Sequence, residues 1–98
     1  MSAYVVVDIE VHNEEVFQNY VSRVEALLKE EVPGFRNLSA ERSPKGLEGP
    51  WQPSMIVIHE FPDMETASRF YYSDAYAPLI ELRQSASSAS VVLVAGRE

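Results

Sequence analysis

Two apolar, β-branched runs, each followed by a helical pattern, constrain the fold of this chain more than any other feature. The first run, residues 3–11 (AYVVVDIEV), alternates apolar with acidic residues in its second half. The second, residues 55–61 (MIVIHEF), is apolar over most of its length. Alternation with a period of two places one set of side chains on each face of a strand. We therefore expect two strands, both central in a sheet.

Helix signals follow both strands. Asn13 is a candidate N-cap, and the apolar residues of 14–31 recur at spacings of three and four before Pro33 and Gly34 end the helix. Asp63 is the candidate cap of a second helical region. Because Pro78 falls inside its continuation, we expect two helical pieces in tandem instead of one straight helix.

Two weaker strands complete the pattern. Residues 35–42 are polar and alternate less cleanly, which favours an edge strand, and residues 90–95 form the last strand. A connection rich in proline and glycine, residues 43–53, carries the only tryptophan. The order β-α-β-β-α-β predicts one ferredoxin-like α+β domain over residues 1–98, with a four-stranded antiparallel sheet and both helices on one face.

The second face of such a sheet has no helix to cover it. Val6 and other apolar side chains fall on that face, so an identical sheet packed against it is the expected solution. A domain of this size buries only about two-thirds of its unfolded surface, which also favours pairing. We predict a homodimer in which two sheets enclose a shared space.

Composition excludes several classes of function. Fifteen acidic and eight basic residues give a net charge of −7, which disfavours nucleic acid as a partner. The absence of cysteine excludes disulfides and thiolate catalysis. No apolar run approaches the ~20 residues of a membrane span, so we expect a cytoplasmic protein without a membrane partner. Since phosphate-cradling glycine patterns and metal-ligand spacings are missing, we expect neither a cofactor nor a metal.

Four stretches form recognisable motifs: residues 3–9 (AYVVVDI), 47–53 (LEGPWQP), 60–63 (EFPD) and 70–76 (FYYSDAY). Together with Leu79 and Arg83 they resemble the small bacterial family catalogued as domain of unknown function 1330. The resemblance covers nearly the whole chain and implies a dimeric α+β barrel, made of two ferredoxin-like sheets. The chain departs from the family around its second strand, where residues 33–36 keep one glycine of a usual pair and residues 42–44 replace others.

This resemblance says more about fold than about function. The family has no agreed activity. The wider superfamily of dimeric α+β barrels includes cofactor-independent quinol-type monooxygenases, lactone isomerases and haem-handling enzymes. The haem-degrading relatives rely on an asparagine in the first strand, and residues 3–11 contain none, which disfavours that branch. Function depends on the site and not on the fold.

Asp8, His59 and Glu60 are the candidate acid/base residues. Asp8 shares a strand face with Tyr4 and is expected to point into the inter-sheet space, where it could shuttle a proton; the alternative is pairing with an arginine. His59 and Glu60 are neighbours on a strand, so their side chains leave on opposite faces. Glu60 is favoured as the cavity residue, unless it lies at the barrel rim. His59 is either a catalyst or a hydrogen-bonded structural residue.

Four residues are candidates for substrate binding: Tyr4, Trp51, Tyr72 and Arg83. Trp51, on its Pro/Gly-rich loop, is either a lid over the cavity mouth or a packing plug at the dimer seam. Tyr72 and Tyr76 would share one side of a helix, which is typical of core or interface residues. Arg83 could hold a substrate carboxylate, or it could pair with one of the two strand carboxylates in a structural network.

Three interpretations of function remain open. The chain could form a homodimeric barrel that binds a small apolar or aromatic molecule with a polar group, with cofactor-free proton transfer or oxygenation. It could be a non-catalytic binding module with a buried polar network at the seam, or a dimer scaffold with a filled core. The last follows if the inter-sheet space is filled by its apolar residues: Val6, Ile56, Ile58 and Val92.

Overall fold

The computed structural model describes residues 1–97, in which four antiparallel strands form one sheet and three helices pack on one side of it. In chain order the elements are β1 (Ala3–Val11), α1 (Glu14–Glu31), β2 (Arg36–Glu41), β3 (Ile56–Phe61), α2 (Met64–Tyr71), α3 (Ala77–Ala86) and β4 (Ser87–Ala95). The strand order is β2-β3-β1-β4, with β1 and β3 at the centre as predicted. Within residues 1–97, no helix has the length and apolar character needed to cross a membrane.

The helix boundaries follow the capping residues. The side-chain oxygen of Asn13 accepts a hydrogen bond from the backbone N–H of Val16 at 3.1 Å, and that of Asp63 accepts one from Thr66 at 2.7 Å. Each bond satisfies an amide that the first helical turn leaves without a partner. Pro78 stands in the first turn of α3, where a missing N–H does no harm. The predicted tandem of two helical pieces is confirmed.

Two strands differ from their predicted forms. In β2 the pairing with β3 shifts register between Asn37 and Ser39, which is a β-bulge. β4 begins at Ser87 and not at Ser90, because its serine-rich start pairs with the end of β1, where Val11 lies opposite Ser87. Serine and alanine have low strand propensity, so pairing with a central strand is what orders this segment.

Antiparallel pairing divides the sheet into two faces. On the helix-side face, β1 and β3 present Val5, Val7, Ile9, Val57, His59 and Phe61. On the opposite, open face they present Tyr4, Val6, Asp8, Ile56, Ile58 and Glu60. The apolar core lies between the helix-side face and the helices, and its largest fully buried side chains are Ile9 and Leu28. One sheet therefore positions both the apolar core and the strand carboxylates, on opposite faces.

Candidate ligand-binding site

A cavity of about 580 Å³ lies between the helix-side face and the helices. Its walls are largely apolar and include Val57 of β3, Val24 and Leu28 of α1, and Phe70 of α2. Ligand pockets typically occupy about 300–1,000 Å³ with mostly apolar walls and a few convergent polar groups. This cavity is on the side of the sheet opposite to the inter-sheet space where the sequence-based prediction placed the site.

Arg83 supplies the buried charge of this cavity. It projects from the inner side of α3, is 5% exposed and lines the cavity wall. Its neighbours are the hydroxyl groups of Tyr20, Tyr71 and Tyr76. Burial acts to lower the pKa of Arg83, but the surrounding tyrosines act to raise it and prevail, so the guanidinium keeps its charge.

Arg83 forms no ion pair with any aspartate or glutamate of residues 1–97. The predicted structural pairing of Arg83 with Glu60 or Asp8 is wrong, because α3 packs on the helix side whereas both carboxylates are on the open face. A substrate-binding role for Arg83 stays a prediction.

Two buried tyrosines form the second polar feature of the cavity. The hydroxyl groups of Tyr20 and Tyr76 are 2.7 Å apart, and the two residues are 8% and 7% exposed. Burial, with a smaller contribution from Tyr76, raises the pKa of the Tyr20 hydroxyl far above its ordinary value, so it stays protonated. Two hydroxyls carry two hydrogens, and their mutual bond uses one. The other is available to an acceptor in the cavity.

His59 also lines the cavity, on the helix-side face of β3. Phe35 packs edge-on against its imidazole, with ring centroids 4.9 Å apart. Burial lowers the pKa of His59 to about 4, so the ring is neutral near pH 7. A neutral imidazole offers one N–H donor and one acceptor nitrogen.

The predicted carboxylates are on the open face, each with a donor. Asp8 accepts a hydrogen bond from the indole Nε1 of Trp51 at 2.9 Å. Glu60 accepts from Arg36 at 3.2 Å and from the Tyr4 hydroxyl at 3.3 Å. Trp51 itself is 62% exposed and lies beside Asp8, away from the helix-side cavity. The catalytic and binding roles of these residues stay predictions, and the structure brings them together on one face.

Tyr72 belongs to neither group. It is 82% exposed and packs edge-on against Tyr71, with ring centroids 5.3 Å apart. The prediction that Tyr72 and Tyr76 share one side of a helix is wrong, because α2 ends at Tyr71 and α3 begins at Ala77. Of the two, Tyr76 enters the cavity.

Tyr20 and the cluster it forms with Tyr76 and Arg83 were absent from the sequence-based prediction. A signal for part of the cluster exists in α3, where the buried residues Leu79, Arg83 and Ala86 recur at spacings of four and three. An arginine inside such an apolar stripe is an anomaly, since arginine is rarely buried without a partner. Among residues 1–97, no group of three histidine or acidic side chains is arranged to hold a metal ion.

The sheet order and the helices on one side define a ferredoxin-like α+β protein with a cavity between sheet and helices. The family follows from the sequence: the model of the family described as domain of unknown function (DUF1330) matches residues 2–97, so this chain belongs to that family. The predicted resemblance and the predicted fold class are both confirmed. No curated protein matches the chain by sequence.

Solved structures with the same fold include proteins with and without a known activity. A protein of unknown function from Rhodopseudomonas palustris matches with a TM-score of 0.78 at 12% identity, over 99% of this chain and 83% of that one. SnoaB, a cofactor-independent oxygenase from Streptomyces nogalater, matches with a TM-score of 0.73 at 19% identity, over 99% and 94%. A dimeric ferredoxin-like protein of unknown function from Jannaschia sp. matches with a TM-score of 0.67 at 15% identity, over 98% and 100%.

Proposed function

We propose that this protein binds a small apolar or aromatic molecule in the helix-side cavity. The observation that carries the proposal is the combination of about 580 Å³ of space, apolar walls, and one polar cluster formed by Tyr20, Tyr76 and Arg83. Apolar walls bind the body of a ligand by excluding water, while a few fixed polar groups determine its orientation.

The protonation states in the cavity favour binding over proton abstraction. A general base works best when its pKa is near the working pH, and the pKa of His59 is about 4. Tyr20 holds its proton at every physiological pH. These two groups therefore act as a stable acceptor and a stable donor towards a ligand.

Cofactor-free acid/base or oxygenase-type chemistry is the second candidate function. Two observations support this candidate. His59 lines the cavity in which we propose that the ligand binds, and the fold is shared with the oxygenase SnoaB. In this hypothesis His59 is the acid/base residue in the cavity, and Asp8 and Glu60 would act from the open face.

We also propose that the open face pairs two copies of the chain into a homodimer. Val92 and Val94 of β4 are 55% and 45% exposed on this face, beside the partly buried Val6 and Ile58. Dimeric relatives of the same fold, from Jannaschia sp. and Bacteroides fragilis, support the pairing. In such a dimer the Asp8–Trp51 and Glu60–Arg36 contacts would form a polar network at the seam. In the alternative, non-catalytic function, these residues stabilise the dimer and do not act on a ligand.

Native mass spectrometry of the purified protein, with added 2-naphthol as a neutral aromatic probe, tests the binding proposal. Val21→Phe places a larger side chain in the cavity wall, and Val92→Phe is the matched control on the open face. We expect a bound mass in the unmodified protein and in Val92→Phe, and its loss in Val21→Phe. Equal binding by all three proteins, or no binding by any, would contradict the proposal. The same spectra report whether the protein is a dimer.

A further inference from the structure

We propose that the natural ligand of the helix-side cavity carries a carboxylate and that Arg83 binds it. This inference rests on the proposed function, because it assigns a chemical class to the ligand of that same cavity. Its starting point is that Arg83 is 5% exposed, lines the cavity and has no acidic partner within residues 1–97.

Three exposed arginines provide a contrast with Arg83. Arg36, Arg42 and Arg69 each contact a glutamate at 3.2, 2.6 and 3.2 Å, and their side chains are 70%, 53% and 67% exposed. These three exposed arginines have an acidic partner, whereas the buried Arg83 has none within residues 1–97. Removing a guanidinium from water is unfavourable unless an opposite charge or several hydrogen bonds compensate it. The hydrogen-bond partners of Arg83 are the hydroxyl groups of Tyr76 and Tyr20, which carry no charge. A ligand anion would supply the missing opposite charge.

The polar groups near Arg83 suit an acceptor rather than a donor. A guanidinium carries only N–H donors, and the Tyr20–Tyr76 pair has one hydroxyl hydrogen that their mutual bond does not use. A carboxylate accepts at two oxygens and pairs with the planar fork of arginine in a bidentate geometry. One guanidinium and one hydroxyl therefore match one carboxylate.

The remaining walls determine the rest of the molecule. Val24, Leu28 and Phe70 give the cavity an apolar wall. Arg83 is the one buried cation among the lining residues, so a second anionic group on the ligand would have no buried partner. The cavity meets solvent at exposed lining residues that include Glu25, Lys29 and Arg42. The ligand class is thus a monocarboxylic acid with an aromatic or branched aliphatic body.

A series of equal-sized probes with different charges tests the inference by isothermal titration calorimetry at pH 7.5. The probes are 3-phenylpropanoate, 3-phenylpropanamide and 3-phenylpropylamine, and the series is repeated on a naphthyl scaffold. We expect the acid to bind at least about tenfold more tightly than the amide, and the amine to bind most weakly. If acid and amide bind equally, the carboxylate assignment is overturned while cavity binding stands. If no probe binds, both proposals are overturned.

Substitution of Arg83 locates the effect. Arg83→Gln is expected to remove most of the preference for the acid over the amide, whereas Arg83→Lys retains part of that preference. Arg36→Gln, on the open face, is the control and should leave the preference unchanged. An unchanged affinity for the acid in Arg83→Gln would overturn the role of Arg83. If Arg83→Gln does not fold, the charge series on the unmodified protein decides the carboxylate assignment.

Discussion

The two faces of the sheet differ in the charge they carry and in how that charge is compensated. On the helix side the charged group is the cation Arg83, buried without an acid among residues 1–97. On the open face the central strands carry the carboxylates Asp8, Glu10 and Glu60. Asp8 and Glu60 each accept a hydrogen bond from a neighbouring side chain, and Glu10 is exposed to solvent. The open face, where the carboxylates have hydrogen-bond donors or solvent, suits packing against protein. The helix side, where the partners of the buried Arg83 are neutral hydroxyl groups, suits a ligand. Neighbours in sequence, such as His59 and Glu60, consequently lie on different faces of the sheet.

The largest expected effect comes from matched isoleucines on the two faces. Ile9 is 2% exposed on the helix side, so Ile9→Ala should lower the free energy of unfolding by about 2–5 kcal/mol. Ile56 is only partly buried on the open face, so Ile56→Ala should lower it by about 1 kcal/mol or less while weakening self-association. Urea denaturation and analytical ultracentrifugation measure both quantities. Equal losses of stability with unchanged association would contradict the division between the faces.

The pH dependence of stability tests the burial of His59. Its pKa is about 4 in the folded chain against 6.5 as the ordinary value, so the unfolded chain binds more protons between these limits. The contribution is complete above about pH 6.5 and is lost as the pH falls towards 4, by up to about 3 kcal/mol. Hydrogen bonds from Arg42 and Thr66 lower the pKa values of Glu14 and Asp63. Their contributions are lost as the pH falls below the ordinary values of 4.5 and 3.8, so that of Glu14 overlaps only the acidic end of the His59 window.

Urea denaturation between pH 4.5 and 7 measures this loss. His59→Gln should remove most of the slope, and His12→Gln, at an exposed position, should leave it unchanged. A slope that persists in His59→Gln would show that His59 is not buried in its neutral form.

A smaller effect is expected from matched tyrosines. Tyr20→Phe removes a buried hydroxyl and leaves that of Tyr76 without its 2.7 Å partner, at a loss of about 1–2 kcal/mol. Tyr4→Phe removes a 3.3 Å contact to Glu60 that is only partly buried, and we expect a loss below about 1 kcal/mol. Thermal denaturation of both variants shows which substitution lowers the stability more. The reverse order would mean that the hydroxyl pair contributes less than the contact on the open face.

Local signals in the sequence account for most of the fold. Cap residues such as Asn13 and Asp63, and a proline inside a helical pattern, each act within a few residues, so their structural effect can be inferred directly. The start of β4 was missed because its serines are ordered by pairing with β1, an interaction between distant parts of the chain. No pattern within residues 87–90 alone shows that the strand begins at Ser87.

The site was less predictable than the fold for the same physical reason. A cavity is the space left between side chains of different elements, and no single pattern records it. The alternation along β3 correctly separated His59 from Glu60, but the pattern alone does not say which face of the sheet borders open space. The burial of Arg83 was visible only as an arginine within the apolar stripe of α3.

The most direct test is a methyl-resolved NMR titration of the protein with 3-phenylpropanoate, because methyl groups are present on both faces of the sheet. We predict shifts confined to methyl groups that line the helix-side cavity, such as those of Val24, Leu28 and Val57. Methyl groups of Val6, Ile58 and Val92 on the open face should not move. Shifts confined to the open-face methyl groups would contradict the account, because they would place the ligand between the sheets and away from Arg83.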